Sequence, residues 1–378
     1  MADKKIRVLV VDDSALLREI LSDLVESSPD MELVGTAANG EQALARVEAK
    51  QPDVVTLDVQ MPKMDGLATL EALFARRPIP VVMVSSLTSF GAETTFDALQ
   101  RGAVDYVAKP DGNFESKAIW RQDILRKIRV AASTDMKRLL AYRQKKGITL
   151  GSTPANPLSQ RSSTPLANRP IATTPASEID LADKCIVIGI STGGPPALAS
   201  MFAGLRGPLP PIVIVQHMPT QFTGPFAARL DRIGSIRVKE AATGDILEPN
   251  HAYLAPGGSH LQLQRHARRA KILIGHGDPV SGHRPSVDVA MLSATEIYGD
   301  RCLGVIMTGM GRDGVDGCRA IRAAGGYVLG QDEASSDVYG MNRAAHLEGQ
   351  VDRQFGLDDA AATIMLQVKR LWQAAAVG

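Results

Sequence analysis

Short β-branched runs alternate with stretches of helical spacing at both ends of this chain. In the first third, apolar runs at Ile6–Val11, 54–57, Val81–Ser85 and 104–108 predict strands, and a weaker one is expected at 32–37. Strands separated by helical stretches imply a parallel sheet covered by helices, because parallel neighbours need a crossover between them. The pattern resumes with runs at Cys185–Ile190, Ile212–Gln216, 303–307 and 327–329, a helical stretch at 197–203 and a closing helix at 357–376. The stretch 238–277 differs. Its short alternations are broken by Gly244, Pro249, Pro256, Gly257 and Gly258 and predict antiparallel hairpins inserted into the second sheet.

Between residues 147 and 183 periodicity stops. Pro154, Pro157, Pro165, Pro170 and Pro175 stand among Ser, Thr and Asn, a composition that predicts an extended, mobile linker. The chain therefore divides into a domain at 1–130, a connecting helix and Pro/Ser/Thr-rich linker at 131–182, and a second domain at 183–378, in keeping with 378 residues at roughly 150 per domain. With 42 Lys+Arg against 41 Asp+Glu, no global charge draws the chain to nucleic acid or anionic lipid. The three cysteines, Cys185, Cys302 and Cys318, lack metal-type spacing and suit a reducing compartment. No apolar run reaches ~18 residues and the first residues lack a signal-peptide core, so a cytoplasmic protein without direct membrane insertion is expected.

In an open parallel sheet, ligands gather beyond the carboxyl ends of the strands. Asp12 and Asp13 follow the first predicted strand, Asp58 the third, Ser86 the fourth and Lys109 the fifth. Converging carboxylates suit a hard divalent cation, with Mg2+ expected, and a lysine and a hydroxyl beside them suit a phosphoryl group. Any one of these is also an ordinary polar residue ending a strand; the set of five is what points to a phosphoacceptor. The motifs VVDD, DVVTLDVQMPKMDG, VVMVSS and YVAKP resemble the receiver domain of two-component response regulators over about 125 residues. The resemblance implies a flavodoxin-like, five-stranded parallel sheet and Asp58 phosphorylated by a chemotaxis histidine kinase. It also implies Mg2+ held by Asp12, Asp13, Asp58 and the backbone carbonyl of Gln60, and Ser86, Lys109 and Tyr106 as switch residues. Tyr106 is equally readable as a core aromatic.

After the strand Cys185–Ile190 comes Ser191-Thr192-Gly193-Gly194-Pro195-Pro196, which formally completes G-x-S-x-G with Gly189 and Ile190. A serine at such a strand-to-helix turn stands at the sheet edge, where N–H groups of the following helix face a developing oxyanion. A nucleophilic serine needs a base and a group to orient it. His217 ends the strand Ile212–Gln216, and Asp313 follows the strand at 303–307. His283 competes for the base, and Asp313 is also readable as an N-cap. The order Ser, His, Asp departs from that of α/β-hydrolases. The motifs IGISTGGP, VIVQHMP, YLAPGG, HRPSVDV and IMTGMGRDG instead resemble the catalytic domain of the chemotaxis protein-glutamate methylesterases, and with the receiver in front the resemblance spans nearly the whole chain. It implies a doubly wound α/β domain with a mostly parallel sheet and an antiparallel hairpin insertion. Ser191, His217 and Asp313 become a catalytic triad, and Thr192, His283 and Met310 cleft residues. Arg312 and the long linker depart from the family pattern.

Two classes of function are in play. The first is a phosphorylation-activated serine hydrolase that removes methyl groups from glutamate γ-methyl esters of methyl-accepting chemoreceptors and deamidates glutamines there, with no cofactor for the esterase step and recruitment to receptor arrays. The second is a receiver joined to a DNA-binding output module. The only dense cationic run, RHARRAK at 265–271, sits among alternating residues and reads as an exposed strand edge or docking surface, so no nucleic-acid partner is expected.

Overall fold

Hydrophobic runs flanked by helix caps set the first half of the computed structural model, which describes residues 4–86, 88–110, 114–145 and 181–373. Strands β1 (Ile6–Val11), β2 (Met31–Ala37), β3 (Val54–Asp58), β4 (Val81–Ser85) and β5 (Asp105–Ala108) alternate with helices α1 (Ala15–Glu26), α2 (Gly40–Lys50), α3 (Gly66–Arg76), α4 (Ser89–Arg101) and α5 (Phe114–Ala132), and α6 (Met136–Lys145) follows. The sheet order is β2-β1-β3-β4-β5, all parallel. The first three helices start where a polar side chain takes an orphan N–H: Ser14 from Leu17, Asn39 from Gln42, Asp65 from Ala68. Winding runs outward on both sides of β1, so its carboxyl end and that of β3 form the switch point where polar residues collect. The weakly patterned strand at 32–37 is present as β2. Met136, Leu139 and Leu140 of α6 are buried, and Leu140 packs beside Gly102 and Phe74.

The chain divides by its contacts into two compact units, Met1–Arg169 and Pro170–Gly378. The proline-rich stretch expected as a linker lies outside the described residues, except that Leu181 and Ala182 at its end are buried in the second unit.

That unit contains β6 (Cys185–Ile190), α7 (Gly194–Gly204), β7 (Ile212–Gln216), α8 (Thr220–Ile233), β8 (Arg237–Glu240), β9 (His251–Leu254), β10 (His260–His266), β11 (Arg269–Gly275), α9 (Val287–Tyr298), β12 (Cys302–Ile306), α10 (Val315–Ala323), β13 (Tyr327–Gln331), α11 (Met341–Leu347), β14 (Arg353–Phe355) and α12 (Ala360–Val368). Seven strands form one parallel sheet in the order β14-β13-β12-β6-β7-β9-β8. β6, β7 and β12 are its fully buried centre, and the chain reverses its winding direction across them.

Three details differ from the sequence expectation. The antiparallel hairpin β10–β11 exists but forms its own two-stranded sheet instead of entering the large one. Leu261, Leu263, Ala270 and Ile272 join a core cluster with Ala290, Met291 and Ala294 of α9. β8 and β9, expected within hairpins, pair in parallel because the loop between them is spent elsewhere: Gly244 and Leu247 donate to Ile272 and Ala270 of β11, and Ile272 donates back to Asp245. The closing helix at 357–376 breaks into a 3-10 turn (Leu357–Asp359), α12 and a π turn (Lys369–Gln373), with 374–376 outside the described residues. The cationic run spans the ends of β10 and β11 and the turn between them, as its alternation suggested.

If the hairpin is anchored by its inward face, Leu261→Ala should cost about 2–5 kcal/mol in urea denaturation of the full chain. Leu273→Ala, at a position 41% exposed, should cost under ~1 kcal/mol. Equal losses would show that the hairpin does not share the core.

Candidate active site

Ser191, His217 and Asp313 follow β6, β7 and β12, three neighbouring strands of one sheet, so their convergence is set by topology. The turn after β6 is made at Gly193, whose φ of +78° belongs to the left-handed region, and α7 then begins at Gly194 with proline in its first turn. A Cβ at Gly194 would lie 1.8 Å from Gln216 Oε1, so only glycine lets this turn approach β7. Gln216 Nε2 donates to the carbonyls of both Ser191 and His217 at 3.0 Å, tying the two residues together through their backbones. The Gly194 N–H is donated to the Ser191 carbonyl at 2.8 Å, so this helical donor serves the turn and not an oxyanion.

His217 Nδ1 lies 3.1 Å from Ser191 Oγ, and its Nε2 lies 2.8 Å from Asp313 Oδ2. The ring thus bridges hydroxyl and carboxylate. His283, the competing histidine, does not take that place. It stacks on His217 with centroids 3.8 Å apart and planes 8° from parallel. Asp313 is fully buried and lies at the start of α9, where it accepts from Ser286 Oγ (2.7 Å), Val287 N–H (2.7 Å) and Asp288 N–H (3.1 Å). Burial pushes its carboxyl up, but His217, Ser286 and the Val287 N–H outweigh that and hold it down to about 2. Asp313 is therefore an acceptor for α9 rather than a cap of its own helix α10, whose N-cap is Gly314. Thr192 is buried beside Ser191, and its carbonyl accepts from Thr308 Oγ1 at 2.9 Å. Met310 follows Gly309, where a Cβ would sit 2.7 Å from that of Ser191.

In the first unit, carboxylate oxygens of Asp12, Asp13 and Asp58 lie within 4.8 Å of one another. Lys109 Nζ sits 3.0 Å from Asp12 Oδ2 and 2.8 Å from Asp58 Oδ2. Burial and then the Asp12 charge push the Asp58 carboxyl up to about 6 against the pull of Lys109. The ammonium, disfavoured by burial, is raised on balance by the two carboxylates. An all-oxygen donor set of three clustered carboxylates fits a Mg2+ ion. The Gln60 N–H donates to Asp58 Oδ1 at 3.2 Å. Ser86 Oγ is within 3.3 Å of Thr88 Oγ1. Tyr106 is buried, with Lys127 Nζ donating to its carbonyl and 5.1 Å from its ring centroid.

Sequence reasoning missed Ser286, Gln216 and Asp288. Ser286 stands in the quoted HRPSVDV motif, and its place three residues before the first helical turn is complete is an N-cap signature, but its reach to Asp313 spans 27 residues of chain. Asp288 accepts from Gly317 N–H at 2.8 Å, and burial raises its carboxyl to about 6.

Residues 186–364 match the family model of the CheB methylesterases, and residues 8–118 that of the response regulator receiver domain. The chain is 42% identical, over 96% of its length and 98% of the relative's, to protein-glutamate methylesterase/protein-glutamine glutaminase 1 of Dechloromonas aromatica. It is 44% identical, over 96% of its length and 97% of the relative's, to the protein of the same name from Caulobacter vibrioides. A solved CheB methylesterase catalytic domain from Thermotoga maritima is similar at 36% identity, covering 49% of this chain and 98% of that one with a TM-score of 0.48.

The Asp313 surroundings give a pH signature. Its folded pKa of about 2 lies below the ordinary 3.8, so its contribution is complete above pH ~4 and is lost as pH falls through ~2. The stability gap between wild type and Asp313→Asn, on the order of 2 kcal/mol at neutral pH, should close over that window in denaturation series. A gap unchanged down to pH ~2 would mean that the carboxylate is not held by these donors.

Proposed function

The chain belongs to the CheB methylesterase family with a receiver domain in front, and from that premise we propose that Ser191 is the nucleophile, His217 the general base and acid, and Asp313 the orienting carboxylate of a phosphorylation-activated protein-glutamate methylesterase and protein-glutamine glutaminase. The observation that carries the assignment is the pair of distances on His217, 3.1 Å to Ser191 Oγ and 2.8 Å to Asp313 Oδ2. The Ser191 hydroxyl attacks the γ-carbonyl carbon of a glutamate methyl ester while His217 Nδ1 takes its proton. The tetrahedral intermediate collapses as His217 returns the proton to the leaving methoxide, and methanol departs. Water, deprotonated by His217, then attacks the acyl-serine and frees glutamate and the Ser191 hydroxyl. With glutamine as substrate, ammonia leaves in the first half. Asp313 stays ionised and steadies the imidazolium in each protonated state. Thr192, Met310 and His283 line the cleft where the receptor side chain enters, and no cofactor takes part in the ester chemistry.

In the receiver, phosphorylation is Mg2+-dependent as in receiver domains generally, and Asp58 is the acceptor of the phosphoryl group from a chemotaxis histidine kinase. Asp12, Asp13, Asp58 and the Gln60 carbonyl are the groups to hold the ion, which when bound neutralises phosphoryl charge. Lys109 and Ser86 meet the phosphoryl oxygens, and Tyr106 reports the change from the β5 side. The substrates are methyl-accepting chemoreceptors. No helix among the described residues is long and apolar enough to cross a membrane, which suits a cytoplasmic enzyme recruited to receptor arrays.

The test is methanol release from methylated receptor membranes. Ser191→Ala should lose several orders of magnitude in rate while remaining folded, and adding His217→Ala or Asp313→Asn should cost little more, since the three act as a unit. Turnover near wild type in folded Ser191→Ala would rule out the nucleophile. Phosphodonor with Mg2+ should accelerate wild type and leave Asp58→Ala at its basal rate, and an Asp58→Ala protein that still responds would move the phosphorylation site elsewhere.

A further inference from the structure

Two buried side chains outside the triad lead to Asp313, Ser286 directly and His260 through Ser286. Ser286 is fully buried, ends the loop before α9, and donates its hydroxyl to Asp313 Oδ1 at 2.7 Å. The same hydroxyl accepts from Val289 N–H at 3.4 Å as the α9 cap. Ser286 is held in turn by His260, the first residue of β10, which is 5% exposed. The His260 ring has a fixed hydrogen-bonding sense. Its Nε2 faces the Asp278 carbonyl at 2.9 Å, which only accepts, so Nε2 carries the proton. Its Nδ1 is then free to accept, and the Ser286 N–H donates to it at 3.3 Å. A continuous chain runs from the Asp278 carbonyl through His260, Ser286, Asp313 and His217 to Ser191 Oγ.

We propose that Ser286, fixed by His260, is a positioning residue of the reaction that sets the rotamer of the Asp313 carboxylate. The proposal rests on the triad reading above. Asp313 can offer His217 a well-aligned Oδ2 only while its other oxygen is tied down. Ser286 supplies the shorter of two ties to that oxygen, 2.7 Å against 3.1 Å from the Asp288 N–H, and the hairpin, through His260, fixes where Ser286 stands. The hairpin insertion thereby gains a role in catalysis although it contributes no member of the triad.

The test compares methanol release from methylated receptor membranes across folded variants. Ser286→Ala should lower kcat roughly ten- to hundredfold, as misplacement of a catalytic group does, with KM little changed. Ser286→Thr, which keeps the hydroxyl, should recover most of the rate. Combining Ser286→Ala with Asp313→Asn should be no slower than Asp313→Asn alone, because a residue that acts through Asp313 has nothing left to orient. A purely structural serine would multiply its loss onto any background, and that result, or wild-type kcat in Ser286→Ala, overturns the proposal. Should Ser286→Ala fail to fold, His260 decides. His260→Phe should lower kcat, and His260→Asn, whose side-chain oxygen falls near the Nδ1 position, should restore part of it; equal rates in wild type and His260→Phe would refute the chain. Ser191→Ala is run alongside, and its retaining turnover would instead overturn the triad itself, which keeps the two failures apart.

Discussion

A carboxylate with no exposure to water has to be solvated by the protein, and the way Asp313 is solvated dictates much of the catalytic unit. Its oxygens take the first N–H groups of α9 and the hydroxyl of that helix's cap, the place where a helix end has donors to spare. For this to happen, α9 has to begin within a few ångströms of the loop that follows β12. The sequence permits it with glycine. A Cβ on Gly189 would lie 2.3 Å from Val287 Cγ1, and one on Gly314 2.7 Å from the same atom, so the first residue of α9 sits in a hollow made by two absent side chains. The arrangement is reciprocal. Asp288 in the first turn of α9 accepts from Gly317 in the first turn of α10, so each helix start is held by a carboxylate from the other segment.

The receiver solves the same problem with different chemistry, and the difference suits its task. Asp12 and Asp58 are as deeply buried as Asp313, and each takes one backbone N–H, from Ser14 and Gln60, but their other oxygens face the Lys109 ammonium on a flexible stem. Fixed donors hold one carboxylate in one orientation, which the proposed triad would need through every turnover. A lysine end can follow charge as it moves, which suits the proposed gain and loss of a phosphoryl group.

Strand ends were the readable part of both sites. Hydrophobic runs locate strands, a parallel sheet gathers function at their carboxyl ends, and Asp12, Asp58, Lys109, Ser191 and His217 directly follow such runs. His217 was favoured over its competitor His283 because it directly ends a strand, and family resemblance then supplied the roles. What stayed hidden depends on approach between distant segments. Ser286 reaches Asp313 and His260 reaches Ser286 across 27 and 26 residues of chain, and neither contact leaves a periodicity. The hairpin misled for a related reason. Alternation at 238–277 is real, but it does not say whether a strand's partner is its neighbour in sequence. β9 found β7 and β8, while the loop that should have turned it back was bound to β11.

The histidine stack completes the argument about what His217 can do. Both ring nitrogens are engaged at the ring edge, one with Ser191 and one with Asp313, and His283 covers one face. A ring so placed has little freedom to rotate, so under the proposed mechanism a proton taken from Ser191 at Nδ1 would stay on the side where the leaving group departs. Ester hydrolysis needs the same nitrogen to take a proton and give it back across two half-reactions. Holding the ring by its two edges and a face, while a helix start holds the carboxylate behind it, provides that with no rearrangement between steps.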